Sequence, residues 1–159
     1  MRVILVGCSK VKARARCEAQ WLYVSPLFRK SALWARKEVA RGHADGWLIL
    51  SAKWGVLSPD DLVDPYEKRL GELDRAGRER WAAQAWGQLG ERTGERAREL
   101  LELVILAGRA YVEPLRPGAD RRGVRLVEPL AGLQIGERIG WLNRELGIQP
   151  DPLRGLTRV

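Results

Sequence analysis

The chain has 159 residues, 45% of them hydrophobic, which is enough for one folded domain and excludes an intrinsically disordered protein. No apolar run approaches the length of a membrane span, and the only histidine, His43, excludes a His-based triad or a His-rich metal site. The two cysteines, Cys8 and Cys17, have no partners at metal-ligand spacing. We therefore expect a cytoplasmic protein without a metal or cofactor, and no membrane partner.

The net charge of +8 favours an anionic partner, above all nucleic acid, with DNA expected more than RNA. Basic side chains dominate the first 45 residues, and a second basic group lies in residues 109–125, which predicts a basic face. Arginine greatly outnumbers lysine, however, and a GC-rich genome alone can cause that. The charge therefore indicates a partner class without proving it.

Short apolar segments alternate with helical ones, which predicts an α/β domain built on a mainly parallel sheet with helices on both faces. Four strands are expected, at residues 2–7, 46–50, 103–106 and 124–127. Helices are expected over residues 26–41, after Asp74, over about 95–101, after Tyr111 toward Leu115, and from about Gly136 onward, with a turn at residues 117–123. We expect a single domain over residues 1–147 and a surface tail over residues 148–159.

The most informative stretch follows the second predicted strand. Ser51 and Lys53 place a hydroxyl and an ammonium at the carboxyl end of that strand, and Gly55 permits a tight turn. Carboxylates follow at Asp60, Asp61 and Asp64. Ser-Pro-Asp-Asp is also ordinary turn chemistry, so this stretch alone does not establish a site.

The other predicted strands end in similar polar loops that contain glycine. They comprise Gly7 to Lys10, Gly108 to Tyr111, and Gly132 to Gly136. Parallel strands bring their carboxyl ends to the same end of a sheet, where open α/β sheets bind their ligands. The convergence of four such loops predicts a binding or active site there.

The order of these motifs resembles a family of short bacterial and phage proteins of unknown function. That family has the pattern GCSK, then LSAKYGLL-x-PD, then Gly-x-x-Tyr, then PL-x-GL-x-IG. The corresponding segments here are residues 7–10, 50–60, 108–111 and 129–136. One departure is Trp54, which stands where the family has tyrosine.

A more distant resemblance is to the YaaA-type peroxide-stress proteins, through Ser51, Gly55, Pro59, Asp61 and the Pro65-Tyr66 pair. That resemblance implies DNA binding. The core also resembles the base-recognition domain of archaeosine synthases and, more remotely, the uracil-DNA glycosylase fold. The water-activating and histidine motifs of the glycosylases have no counterpart here, so cleavage is not implied residue by residue.

The first hypothesis is an enzyme that acts on an ordinary or modified nucleobase in DNA, in a glycosylase-like reaction. Catalytic roles fall to Asp60, Asp61 and Lys53, with Asp60 preferred because the closer family has Asp there. Phosphate contacts fall to Ser9, Lys10, Lys12, Ser51 and Arg109. A flipped base would enter a pocket formed by Cys8, Trp54, Gly55, Tyr66, Gly108, Tyr111 and Gly132.

Two alternatives stay open at this point. The same basic surface and aromatic side chains are sufficient for a non-catalytic DNA-binding or DNA-protecting module. A site for a free nucleotide or nucleobase, with the charge incidental, would predict binding that barely responds to salt.

Overall fold

The computed structural model describes residues 1–94 and 99–149. In chain order its strands are β1 (Arg2–Gly7), β2 (Cys17–Glu18), β3 (Gly46–Ser51), β4 (Gly55–Leu57), β5 (Leu62–Val63), β6 (Glu102–Leu106) and β7 (Arg125–Val127). Its α-helices are α1 (Ala19–Leu22), α2 (Pro26–Ala40), α3 (Arg75–Thr93), α4 (Arg109–Arg122) and α5 (Ile135–Leu146). None of these helices is long and apolar enough to cross a membrane.

The central sheet has five strands in the order β4-β3-β1-β6-β7, and helices cover both faces. The four parallel strands are those that the sequence predicts, within two residues at each end. The expected number of four strands is wrong, because β4 pairs antiparallel with β3 at one side of the sheet. A small second sheet pairs β2 with β5.

The sheet separates two hydrophobic cores, because successive side chains of a strand point to opposite faces. Val3 and Leu5 of β1 pack with α3 and α4, whereas Ile4 and Val6 pack with α1, α2 and α5. Trp81 and Trp86 lie buried in the first core, as their helical spacing predicts.

Two predicted helix starts are confirmed. Ser25 accepts a hydrogen bond from the amide of Phe28 at 3.2 Å, with Pro26 as the first residue of α2, and Asp74 accepts from the amide of Gly77 at 2.7 Å. The helical spacing in α2 also predicts an apolar face that includes Phe28 and Leu33; Phe28 is buried, whereas Leu33 is 37% exposed. The predicted helix over about 95–101 and the predicted tail over 148–159 are only partly described, because residues 95–98 and 150–159 lie outside the described residues.

The predicted turn at residues 117–123 is wrong, because α4 continues to Arg122. Val112, Leu115 and Ala119 recur on the buried face, and their packing outweighs the helix-breaking tendency of the internal prolines. Gly118 is needed where α4 meets α3, since a Cβ there would lie 2.1 Å from Nε1 of Trp86.

Candidate functional site

The carboxyl ends of β1, β3 and β6 meet at one end of the sheet, which we call the carboxyl end. From β1 the chain crosses to β3 on one side and returns later to β6 on the other side. This reversal makes the gap between β1 and β6 the topological switch point, where open α/β sheets form their ligand crevice. We refer to this gap as the crevice.

All three tyrosines of the chain converge beside the crevice. The Tyr66 hydroxyl lies 2.6 Å from Oγ of Ser51 and 2.7 Å from the Tyr23 hydroxyl. The Tyr111 hydroxyl lies 2.9 Å from Sγ of Cys8. These five side chains form what we call the hydroxyl cluster, and all but Tyr23 are predicted site residues, which the structure brings together from four separate segments of the chain.

Ser51 also shapes the loop that follows β3. Its side-chain oxygen accepts hydrogen bonds from the amides of Lys53 and Trp54 at 3.3 and 3.0 Å, and its carbonyl accepts one from Nε1 of Trp81. Gly55 then reverses the chain with φ of 77°, and a Cβ there would lie 2.2 Å from Oε1 of Gln88. The predicted glycine turn is therefore confirmed.

The tyrosines of the cluster stay protonated at physiological pH. Burial raises the pKa of Tyr23, Tyr66 and Tyr111 above the ordinary value, and a negative charge at Cys8 would raise each of them further. Their hydroxyls therefore remain neutral hydrogen-bond donors. The cluster presents hydroxyl and thiol groups instead of carboxylates.

Two predicted phosphate-binding or catalytic lysines flank the cluster. Nζ of Lys12 lies 4.5 Å from the ring centre of Tyr66 and donates to the carbonyls of Ser9 and Lys10, both at 3.1 Å. Burial lowers the pKa of Lys12, although charges at Cys8 and Glu67 partly oppose that effect.

Lys53 also lies beside the cluster. Its Nζ is 4.8 Å from the ring centre of Trp54 and 5.9 Å from that of Tyr66. Within residues 1–94 and 99–149, neither Lys12 nor Lys53 forms a salt bridge with a carboxylate. The 43% exposed Trp54 thus forms an aromatic surface beside an ammonium group.

The acidic turn that sequence reasoning favours for catalysis lies away from this cluster. Because β4 is antiparallel to β3, it carries the chain from Gly55, opposite Ser51, to Leu57, opposite Ile49. Asp61 then accepts from the amide of Ser58 at 2.8 Å and pairs with Arg92 at 2.9 Å. These contacts give Asp61 a structural role in the turn, while Asp60 is exposed.

The remaining predicted residues divide between the crevice and the surface. Ser9 and Gly108 line a cavity in the crevice, described below. Lys10 is exposed, as is Arg109, which lies 3.9 Å from Glu113. Gly132 is exposed in a tight turn with φ of 73°.

A cavity of about 70 Å³ occupies the crevice itself. Two of its polar lining residues, Ser31 and Arg138, were not predicted as site residues. Ser31 had a detectable signal, because it is a serine on the otherwise apolar face of α2, between Phe28 and Ala32. Arg138 had none, because an arginine in the second turn of an amphipathic helix is ordinary. In the described part of the chain, no group of three or more His, Cys, Asp or Glu side chains is placed to hold a metal ion.

The comparisons with known proteins address the family. Residues 3–144 match the model of a family of unknown function, DUF6884. The chain belongs to the DUF6884 family. Every residue of the hydroxyl cluster and every residue lining the crevice cavity falls within the matched range. No curated protein and no solved structure matches the chain. The family match supports the predicted membership of an uncharacterised family, and the more distant resemblances to YaaA-type proteins and glycosylases stay predictions.

Proposed function

We propose that this DUF6884 protein binds nucleic acid, DNA in the first instance, at the carboxyl end of its sheet. One nucleotide is held beside the crevice, with its base stacked on Trp54 and its phosphate near Lys53 or Lys12. The observation that carries the proposal is the half-exposed Trp54 ring with the Lys53 ammonium 4.8 Å from its centre.

This arrangement fits what single-stranded nucleic acid offers. A base has an aromatic face that stacks on tryptophan, and its flanking phosphates are attracted to ammonium groups. Lys12 and Lys53 both lie near the Tyr66 ring, at 4.5 and 5.9 Å from its centre. In the described part of the chain neither has a carboxylate within salt-bridge distance, so both cations are available for phosphates.

The charge of the whole chain supports the same partner. A net charge of +8 attracts a polyanion over a distance set by the ionic strength. Lys10, Arg14 and Arg16 are exposed in the loop that follows β1, at the same end of the sheet. The loop charges would extend the contact beyond one nucleotide.

The test is fluorescence polarisation of labelled single- and double-stranded DNA and RNA across a salt series. Binding should weaken linearly on a logarithmic plot, with a slope of about −0.7 per neutralised phosphate for a single strand. Trp54→Ala should weaken single-strand binding by about 1–3 kcal/mol, the usual contribution of one stacked base.

Trp21→Ala is the matched control. Trp21 is also exposed, at 58%, and also has a cation near its ring, since Arg36 lies 5.0 Å from its centre. It belongs to α1, and Arg36 also lies close to Trp47, near the amino end of β3, at 5.5 Å from the ring centre. Equal losses in the two variants would show that Trp54 has no special part in binding.

The alternative of a free-nucleotide site makes the opposite salt prediction. If polarisation detects no binding of DNA or RNA even at low salt, the proposal is wrong. Calorimetric titration with nucleoside monophosphates then becomes the next measurement, and binding that barely responds to salt would identify a small-molecule site.

Base processing of the glycosylase kind is a further proposal that the sequence motivates through Asp60. Release of free base from modified DNA measures it directly, with Asp60→Asn as the variant that should lose turnover and keep binding. If turnover survives in that variant, the catalytic role of Asp60 is wrong.

A further inference from the structure

The crevice cavity has a lining that differs from that of the hydroxyl cluster beside it. It lies between the ends of β1 and β6, beside the first turns of α2, and α5 contributes Arg138 to its lining. Its polar side chains are Cys8, Ser9, Ser25, Ser31 and Arg138. None of the residues that line it in the described chain is an aspartate or a glutamate.

Ser31 carries an unused hydroxyl into this space. The residue is 2% exposed, lines the cavity, and forms no side-chain hydrogen bond with another described residue. Among residues 1–94 and 99–149, Nε1 of Trp34 is the one fully enclosed side-chain polar atom without a partner, so the Ser31 oxygen is open to the cavity. The Ser31 hydroxyl is therefore available to a polar group or a water molecule in the cavity.

Arg138 gives the cavity lining a positive charge. Its Nε donates to the carbonyl of Leu133 at 2.8 Å, which fixes the guanidinium on the cavity wall. Its two terminal amino groups form no hydrogen bond with a described residue. A planar guanidinium with free amino groups is well suited to pair with two oxygens of one anion.

Two helices begin at the same cavity. Gly108 is the N-cap of the 14-residue α4 and lines the cavity, and no side chain caps the first amides of that helix. Ser25, the N-cap of α2, also lines it, and its hydroxyl proton is free to donate because its oxygen accepts from Phe28. Helix N-termini present unpaired amides and a partial positive charge to an anion.

From these observations together we propose that the crevice cavity binds one phosphate group. Every polar side-chain group that the lining offers beyond the cysteine is a hydroxyl or a guanidinium, and both donate hydrogen bonds to phosphate oxygens. The volume of about 70 Å³ exceeds the roughly 10–15 Å³ that a cavity needs to hold one water molecule, and suits a group of few atoms. The assignment of this phosphate to a bound nucleotide rests on the proposed function, whereas binding of free phosphate does not.

The experiment titrates the full-length protein with sodium phosphate at constant ionic strength, followed by calorimetry and by thermal unfolding. It is repeated with two single-stranded oligonucleotides of one sequence, one with a 5′-phosphate and one with a 5′-hydroxyl. The variants are Ser31→Ala and Arg138→Gln. Arg144→Gln is the matched control, because it removes the same charge from an exposed position of the same helix.

Saturable phosphate binding should weaken about tenfold or more in Arg138→Gln and Ser31→Ala, and should persist in Arg144→Gln. If Arg138→Gln fails to fold, Ser31→Ala alone decides, because it removes a single oxygen atom. Tighter binding of the 5′-phosphate strand, lost in the same variants, would assign the phosphate to nucleic acid. Binding of inorganic phosphate alone would assign it to the free anion.

Two results would overturn the inference: no response to phosphate or to the 5′-phosphate strand, or the same response in all four proteins. Its failure is distinguishable from failure of the proposed function. The 5′-hydroxyl strand reports nucleic-acid binding without a terminal phosphate, so it can still bind when the subsite is absent. Conversely, inorganic phosphate can bind a protein that ignores nucleic acid.

Discussion

Charged side chains have different partners at the two ends of the central sheet. At the amino end, Glu102 begins β6 between Arg2 of β1 and Arg125 of β7, which are its neighbours in register, and both arginines donate to its carboxylate. At the carboxyl end, Lys12 and Lys53 face aromatic rings and backbone carbonyls, and the tyrosine hydroxyls of the cluster are neutral.

This difference separates structural charge from charge that is available to a ligand. The carboxylate at the amino end is nearly buried and already paired, so it stabilises strand order and has little capacity left. Lys12 and Lys53 at the carboxyl end form no salt bridge in the described chain. The comparison therefore places paired, structural charge at one end of the sheet and unpaired lysines at the other.

The largest expected effect concerns the free cations. The double variant Lys12→Gln/Lys53→Gln should bind single-stranded DNA about a hundredfold more weakly at low salt, and its logarithmic salt slope should fall by about 1.4. Lys37→Gln/Arg41→Gln removes the same charge from the last turn and C-cap of α2, toward the amino end. Comparable losses in both double variants would mean that total charge, and not position, drives binding.

The next effect concerns the centre of the hydroxyl cluster. Tyr66→Phe removes the group that joins Ser51 to Tyr23 and leaves the buried Tyr23 hydroxyl without that partner. The free energy of unfolding in urea should fall by about 1–3 kcal/mol. Tyr111→Phe is the matched comparison, and should cost less, because sulfur is a weak hydrogen-bond partner.

At the amino end the prediction is a loss of stability without a loss of binding. Glu102→Gln should lower the free energy of unfolding by about 1–2 kcal/mol at neutral pH, because two arginines lose their charged partner. Nucleic-acid binding should be unchanged apart from the small effect of removing one negative charge. A large fall in affinity would contradict the division between the two ends.

The same carboxylate sets a pH dependence. Burial alone would raise the pKa of Glu102, but hydrogen bonds from Arg125 and Arg2 outweigh it and hold the pKa below the ordinary value of 4.5. The stabilisation is therefore complete above that pH and is lost as the pH falls through the lowered pKa of the folded state. The stability difference between wild type and Glu102→Gln should shrink below about pH 4.5.

The smallest effect on stability is expected at the acidic turn. Asp60 is exposed, so Asp60→Asn should change the free energy of unfolding by less than about 0.5 kcal/mol. Asp61→Asn should cost more, because it weakens the Arg92 pair and the acceptor for the Ser58 amide. Equal stability of the two variants would show that those Asp61 contacts do not hold the turn.

Much of the fold could be predicted because its signals are local. The apolar runs within residues 2–7 and 103–106 are typical of strands that are covered on both faces. Capping by Ser25 and Asp74 depends only on side-chain chemistry within four residues. The strand β4 was missed because only three residues follow Gly55 before the next turn. Its pairing depends on β3 and on Gln88 of α3, whose side chain accepts from the Val56 amide at 2.7 Å.

For the site, the sequence indicates the correct loops but not the partners within them. Glycine-bearing polar loops after parallel strands must share one end of the sheet, which is why Cys8, Ser51 and Tyr111 were all candidates. Which of them touch depends on angles between helices and strands that no local pattern specifies. Asp61 illustrates the limit, because its partner Arg92 is 31 positions further along the chain.

The sequence by itself thus determined the alternation of strands and helices, the helix caps, the basic charge and the end of the sheet at which polar loops gather. These properties depend on side-chain pattern and covalent neighbourhood. Only the tertiary structure decided that tyrosine hydroxyls, and not the acidic turn, lie beside the crevice, and that Ser31 and Arg138 line its cavity. The reason is that β4 turns back along β3 and carries the carboxylates away, while Tyr66 returns to meet Ser51.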